Sequence, residues 1–346
     1  MNGYYYWGGK LDLESWLKEQ GFDVYTLSVG PVSSNWDRAV EVFHQIKGGQ
    51  ADYGKMHSRE FGLIQKPEGR EWEAIYPQWD AEHPIHIISH SQGGQTARQL
   101  EIMLKTVYSG ENSPLLSNAN ERWIKSITTL STPHNGTTLS PIITDHFPIT
   151  VWLGTWFGVF YEGGFFEKYY DFDLDQWNLA KRETENTSDF LNRISSLPAM
   201  ESKNMAQHDL SPMGAAEFNE SYETDSDVHY FTYVTYGTRE VGSKGKHMPD
   251  WGMNARLWLP GTLIGTMEVE DSTWFRNDGI VNSNSMYGPP ASQCFYTGIS
   301  KPGCWQLVEE IHMDHHKIVG HGLDEKDHGK LKELYGNHCT ILKELD

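Results

Sequence analysis

Short apolar runs alternate along this chain with stretches in which apolar residues recur at helical spacing. Leu13, Trp16 and Leu17 stand at i, i+3 and i+4, which predicts a short helix ended by Gly21. Val24-Tyr25-Thr26-Leu27 follows as a predicted strand. Ser34 is placed to cap a second helix whose apolar face is Ala39, Val40, Phe43 and Ile46. Residues 47–83, with Gly48-Gly49, Pro67 and Gly69, break the rhythm and are expected to form a long irregular excursion. Ile85-His86-Ile87-Ile88 then predicts a buried strand, and Ala97, Leu100 and Leu104 mark a helix behind it. Ile124–Leu130 and Tyr230–Tyr236 predict two further strands, and Trp305-Gln306-Leu307-Val308 a weaker one. A helix from about Lys326 to Leu345 closes the chain. Strands alternating with helices imply a mostly parallel α/β sheet. Neither a repeat nor a low-complexity block divides residues 1–346, so one domain with insertions is expected.

Chemistry enters at one junction of strand and helix. Ser89-His90-Ser91-Gln92-Gly93 directly follows the Ile85 strand, which is the layout of a nucleophile elbow, a tight turn that lifts a serine hydroxyl above the sheet. So sharp a turn needs small residues two positions to either side; Ser89 and Gly93 supply them, although the usual pattern has glycine at the first. A nucleophilic serine needs a base, and the base needs an orienting carboxylate, in the chain order Ser, Asp or Glu, His. Asp278, in Asn277-Asp278-Gly279-Ile280-Val281-Asn282, suits the carboxylate role, and an ordinary Asp-Gly turn has the same signature. For the base there are four candidates, His312, His315, His316 and His321, among which order along the chain does not choose. They lack the carboxylate or cysteine spacing of a metal site.

Composition narrows the classes. With 38 % hydrophobic residues, 13 % aromatics and 13 Trp the chain is globular and ring-rich. A net charge of -19 argues against nucleic-acid binding and against electrostatic docking on an anionic membrane. Cys294, Cys304 and Cys339 cannot build a disulfide framework; no bridge is expected, and the compartment stays open. Met1-Asn2-Gly3-Tyr4-Tyr5-Tyr6-Trp7 has no basic start and no apolar core, so no signal peptide is read. The aromatic stretch from Phe147 to Tyr161, interrupted by Pro148, is shorter than the roughly 20 residues of a membrane span, so a soluble chain is expected.

The chain resembles the bacterial secreted lipases of the staphylococcal and thermophilic-bacillus type. The matching strings begin with Tyr6-Trp7-Gly8-Gly9, Gly30-Pro31-Val32-Ser33-Ser34-Asn35-Trp36-Asp37-Arg38-Ala39, Asp52-Tyr53-Gly54 and Ile85 to Arg98. Thr132-Pro133-His134-Asn135-Gly136, Tyr170-Asp171-Phe172-Asp173-Leu174-Asp175-Gln176-Trp177, Asp209-Leu210, Trp274 to Asn282 and Asp314-His315 continue them in the family's order. The resemblance implies an α/β-hydrolase acting on acylglycerol esters at a lipid–water interface through an acyl-enzyme. It implies Ser91 as nucleophile, Asp278 as orienting acid and His315 as base, the Asp314-His315 pair selecting that histidine, with the Gln92 N–H in the oxyanion hole. It places a lid in the region 140–172, where Phe147, Trp152, Trp156, Phe157, Phe160, Phe165 and Phe166 gather. A structural zinc is implied in the excursion, with Asp37, His57 and Asp209 at three ligand positions and Leu63 at the fourth. The family's calcium is not expected, because Lys317 and Gly322 stand where two of its carboxylates belong. Secretion is implied by the resemblance alone. Relatives also carry an apolar strand ending in His-Gly-Phe before the Tyr-Trp-Gly-Gly string, central in the sheet and supplying a second oxyanion donor. This chain shows none, so the expectation is a sequence incomplete at its front; the alternatives are a catalytically impaired homologue that binds lipid or a partner, or a serine esterase of other substrate.

Overall fold

The computed structural model describes residues 3–146, 173–179, 202–267, 271–294 and 300–345, with the single positions 182, 185, 186, 189, 190, 193 and 269. Helix α1 (Leu13–Glu19) starts where Asp12 accepts the Ser15 N–H at 3.0 Å, and it turns Leu13 and Leu17 inward. Helix α2 (Asn35–Lys47) is capped by Ser34, whose Oγ accepts the Asp37 N–H at 3.1 Å, a contact contributing about 1 kcal/mol. The excursion that follows has more order than expected: β1 (Gly49–Gln50) pairs antiparallel with β2 (Glu71–Trp72), and α3 (Lys55–Phe61) lies between them. A two-residue ladder is too short to print an alternating pattern. The main elements that follow are β3 (Ile85–His90), α4 (Gln92–Lys105), β4 (Ile124–Leu130), α5 (Leu139–His146), α6 (Pro212–Ser221), β5 (His229–Thr235), β6 (Thr238–Val241), β7 (Lys246–Pro249), α7 (Trp258–Thr266), β8 (Gln293–Cys294), β9 (Trp305–Ile311) and α8 (His328–Lys343).

Five strands form one sheet in the order β3-β4-β5-β9-β8, and every neighbouring pair is parallel. The period of two along each strand sorts its side chains between two cores. Ile85, Ile87, Ile127 and Tyr230 join Phe43 of α2 and Leu100 and Met103 of α4 on one face. Ile88, Leu130 and Tyr233 join Leu13 and Leu17 of α1 and Leu331 and Tyr335 of α8 on the other. A third apolar cluster, with Val234, Met253, Leu257, Ile280 and Met286, adjoins the end of β5. The sheet is thus a helix-covered platform whose strands all present their carboxyl ends on one edge, where sites are built in folds of this kind.

Val24–Leu27 forms no strand, contrary to its pattern. Among the described residues it has no ladder partner, and side chains tie its surroundings instead. Glu14 Oε2 accepts from the Thr26 N–H at 3.1 Å and Oγ1 at 2.6 Å, while Gln45 accepts the Ser28 N–H at 3.3 Å and donates to the Ser28 carbonyl at 2.6 Å. Strand β3 correspondingly has a sheet neighbour on one side only among the described residues. The lid-like region begins on α5, and the aromatic residues Phe147, Trp152, Trp156, Phe157, Phe160, Phe165 and Phe166 lie outside the described residues. Among those described, no helix is long and apolar enough to cross a membrane.

The expectation of no disulfide is also corrected: Cys294 and Cys304 are bridged, with Cα atoms 5.8 Å apart. Strand pairing brings them together, because Gln293 and Cys294 on β8 pair with Trp305 and Gln306 on β9, and Cys304 immediately precedes that register. The bridge closes a loop of 10 residues. In the chain-entropy account such a closure contributes about 2–3 kcal/mol. Cys294→Ser is therefore expected to lower the unfolding free energy measured in urea by that amount, and reduction of the native protein should match it; an unfolding free energy unmoved by either would refute the contribution.

Candidate active site

The backbone at Ser91 is forced. Between β3 and α4 its φ is 56°, a left-handed conformation that costs a non-glycine residue about 1–3 kcal/mol. Three hydrogen bonds hold it there. The Ser91 N–H donates to the Leu130 carbonyl at 2.9 Å, while its own carbonyl accepts from Thr132 Oγ1 at 2.9 Å and from the Gly94 N–H at 3.1 Å. Gly94, rather than Gly93, is the glycine this turn requires. A Cβ on Gly94 would sit 2.3 Å from Thr132 Oγ1, whereas one on Gly93 would meet Ser89 Cβ at an ordinary 3.5 Å.

The structure brings Ser91, His315 and Asp278 into one chain of contacts. Ser91 Oγ lies 2.9 Å from His315 Nε2, and His315 Nδ1 lies 2.8 Å from Asp278 Oδ2. An ionised carboxylate only accepts, so Nδ1 carries the proton and Nε2 is left to accept the serine O–H. Asp278 sits on the turn after Asn277 and is fully buried. Its Oδ1 accepts the N–H groups of Ile280 at 3.1 Å and Val281 at 2.8 Å, and its Oδ2 accepts Thr235 Oγ1 at 2.8 Å. Thr235, at the end of β5, in turn meets Ser131 Oγ at 2.6 Å. Of the four candidate histidines, His315 alone reaches the serine. His312 is exposed, bonded to Asp250 at 2.9 Å and stacked on Tyr236, and His321 binds Tyr4 and the Tyr6 carbonyl. His316 is buried, its ring edge-on to His315.

The roles of His90 and Tyr6 left no sign in the sequence pattern. His90 is buried against the His315 ring, centroids 4.6 Å apart, and its Nε2 donates to the His315 carbonyl at 2.8 Å. That carbonyl can only accept, so His90 Nδ1 is bare and accepts the Tyr6 O–H at 2.8 Å. Burial, reinforced by the neighbouring His315, pushes the His90 imidazole well below the usual histidine range and keeps it neutral. On the other flank Gln92 opens α4, where its N–H has no intrahelical partner. Its side chain is pinned by Arg38, which donates to Oε1 at 2.8 Å, and it donates to the Ser33 carbonyl at 3.1 Å.

The residues expected to hold zinc do not complete a metal site among the described residues. Asp37 Oδ1 pairs directly with His57 Nε2 at 3.0 Å, and Asp37 Oδ2 accepts amide hydrogens from Gln176 at 3.2 Å and Asn204 at 3.0 Å. Asp209 Oδ2 accepts the Asn35 N–H at 2.6 Å, and burial raises the Asp209 carboxyl above the usual range. His57 also stacks on Trp36 at 4.7 Å. Structural zinc takes four protein ligands, and Leu63 offers no donor at the fourth position. Among the described residues no three His, Cys, Asp or Glu side chains form a group that can hold a metal. The amides of Gln176 and Asn204 occupy the two lone pairs of Asp37 Oδ2.

Comparison with known proteins shows the family of the chain. The family model described as "Lipase-like, C-terminal domain" matches residues 2–345. A lipase of Staphylococcus epidermidis is 33% identical over 330 residues, covering 91% of this chain and 47% of that protein. The chain thus spans about half the length of the curated relatives it matches. Among solved structures, EstA from Clostridium botulinum superposes with a TM-score of 0.88 at 35% identity, over 98% of this chain and 82% of that one. The Staphylococcus hyicus lipase does so with a TM-score of 0.83 at 30% identity, over 100% of this chain and 91% of that one.

Proposed function

The chain belongs to the lipase-like, C-terminal domain family, and on that premise we propose that it hydrolyses carboxylic ester bonds of acylglycerols through Ser91, His315 and Asp278. The observation that carries the proposal is the continuous contact from Ser91 Oγ through the two ring nitrogens of His315 to Asp278 Oδ2, at 2.9 and 2.8 Å. His315 Nε2 removes the Ser91 proton as Oγ attacks the ester carbonyl. The Gln92 N–H takes part of the charge developing on the oxyanion, for which one such donor is worth about 10²–10³-fold in turnover. Collapse of the tetrahedral species breaks the C–O bond to the glyceride, and the imidazolium returns its proton to that leaving alcohol. Water then attacks the acyl-enzyme, its proton passing to Nε2 and on to Ser91, and the fatty acid leaves. Asp278 stays ionised throughout, stabilising the imidazolium. The strained backbone of Ser91 and the neutral His90 under His315 are positioning features of the same unit.

A small alkyl fluorophosphonate tests the assignment. The full-length protein near neutral pH is expected to gain one phosphonyl group, with loss of fluoride, on the peptide that contains Ser91. Ser91→Ala protein should gain none. A label carried by another residue, or none on folded protein, would remove Ser91 from the nucleophile's place.

A further inference from the structure

Helix α7 leaves an apolar cap uncovered on a molecule that is otherwise strongly acidic. Trp251 is 86% and Leu259 70% exposed, the two largest exposures among the large hydrophobic side chains described. Trp258 stands between them in sequence, half-buried, its ring edge-on to Trp251 with centroids 5.6 Å apart. The helix is not loose, because its other side carries Pro260, Gly261 and Ile264 into the interior. The patch also differs in charge from its surroundings. The chain has 47 Asp and Glu and a net charge of -19, yet residues 251–266 contain no acid and a single charged side chain, Arg256.

The same segment is bolted to both loops that carry the proposed base and acid. The Asn254 N–H donates to Asp314 Oδ2 at 2.9 Å, one residue before His315, and Lys317 donates to the Gly252 carbonyl. On the Asp278 side, Asn277 Nδ2 donates to the Gly261 carbonyl at 3.1 Å. Gly279 admits the Leu257 side chain, which would come within 2.8 Å of any Cβ there. What seats on this cap is therefore held in fixed relation to Ser91.

We propose that Trp251, Trp258 and Leu259 form a docking surface for a neutral lipid–water interface, which holds the protein on its substrate phase. The proposal rests on the acylglycerol reading above. Indole rings sit well where one side is apolar and the other wet. The absence of carboxylates removes the repulsion that the rest of the surface would exert on an anionic layer, and suits an uncharged one. A large exposed apolar group that none of the described residues covers gains by leaving water.

The test separates docking from chemistry by using full-length Ser91→Ala protein, which leaves the lipid intact. Its co-flotation with triolein droplets coated with phosphatidylcholine is compared with that of Ser91→Ala carrying Trp251→Ser and Leu259→Ser. The expected result is a partition coefficient lower by about tenfold or more in the surface variant. The two surface substitutions, placed in protein that retains Ser91, should leave hydrolysis of a water-soluble butyrate ester within about twofold, showing an intact fold and site. Equal flotation of the two proteins overturns the docking surface. So does a dimer on size exclusion that the substitutions dissolve, since the patch would then serve a second copy of the chain. Failure of the acylglycerol reading shows separately, as flotation without hydrolysis of any ester.

Discussion

Ser91→Ala in the full-length protein is expected to lower kcat/KM for a long-chain triacylglycerol, and for a soluble ester, by about 10⁴- to 10⁶-fold. Among the described residues, the hydroxyls of Ser89 and Ser131 nearby are engaged elsewhere. Ser89 Oγ donates to the Thr128 carbonyl at 2.9 Å, and Ser131 Oγ is engaged with Thr235 at 2.6 Å. The loss should not come from unfolding. Alanine at φ 56° bears the same strain as serine, and the backbone bonds to Leu130, Thr132 and Gly94 remain. One side-chain hydrogen bond is removed, which changes stability by about 1 kcal/mol. Melting and ester hydrolysis measured on the same sample check both halves. More than a tenth of the parental activity in a folded Ser91→Ala protein would show that another group attacks the ester.

How much of this was legible in the sequence differs between platform and site. Strands β3, β4 and β5 were readable as short apolar-rich runs packed on both faces, and helices α2 and α4 because each buries one face, which leaves a helical period in the residues. Where burial stops, the signal stops. Strand β9 continues three residues past Val308 through Glu309 and Glu310, which are exposed and carry no apolar period. Helix α7 is apolar nearly all round and has no polar face to set a period, so it went unread. Val24–Leu27 has a strand's residues, but a ladder needs a neighbour, and no local pattern encodes one. The site divides in the same way. Ser91 was marked by its own surroundings, whereas Asp278 and His315 were chosen through family resemblance, since each has bland local alternatives. Thr235, His90 and Tyr6 act by touching residues far along the chain, and a side chain's use at long range leaves no trace beside it. The surroundings of the expected zinc residues were hidden for a related reason. Asp37 and His57 are close together, but the amides of Gln176 and Asn204 that occupy Asp37 come from more than a hundred residues away.

Asp278→Asn is the sharper experiment, because the hydrogen bonds fix in advance which way the new amide must face. Oδ1 of Asp278 accepts two backbone N–H groups, from Ile280 and Val281. An NH₂ there would set donor against donor, so the asparagine oxygen takes that position and its nitrogen takes the place of Oδ2. That nitrogen then points hydrogens at His315 Nδ1 and Thr235 Oγ1, where the carboxylate accepted from both. Thr235 adapts by rotating its hydroxyl. His315 adapts only by moving its proton to Nε2, which leaves that atom a donor towards Ser91 and unable to take the serine proton. The expected result is a fall in kcat of about 10³- to 10⁴-fold, the size seen when a base is locked in the wrong tautomer, with KM for a soluble ester changed far less. The substitution keeps the volume of the side chain and every backbone bond to it, so the melting temperature should move by only a few degrees. Nitrogen-15 resonances of His315 give the decisive readout: the protonated nitrogen should be Nδ1 in the parent and Nε2 in the variant. Retention of the parental tautomer together with parental kcat would mean that Asp278 does not orient the base.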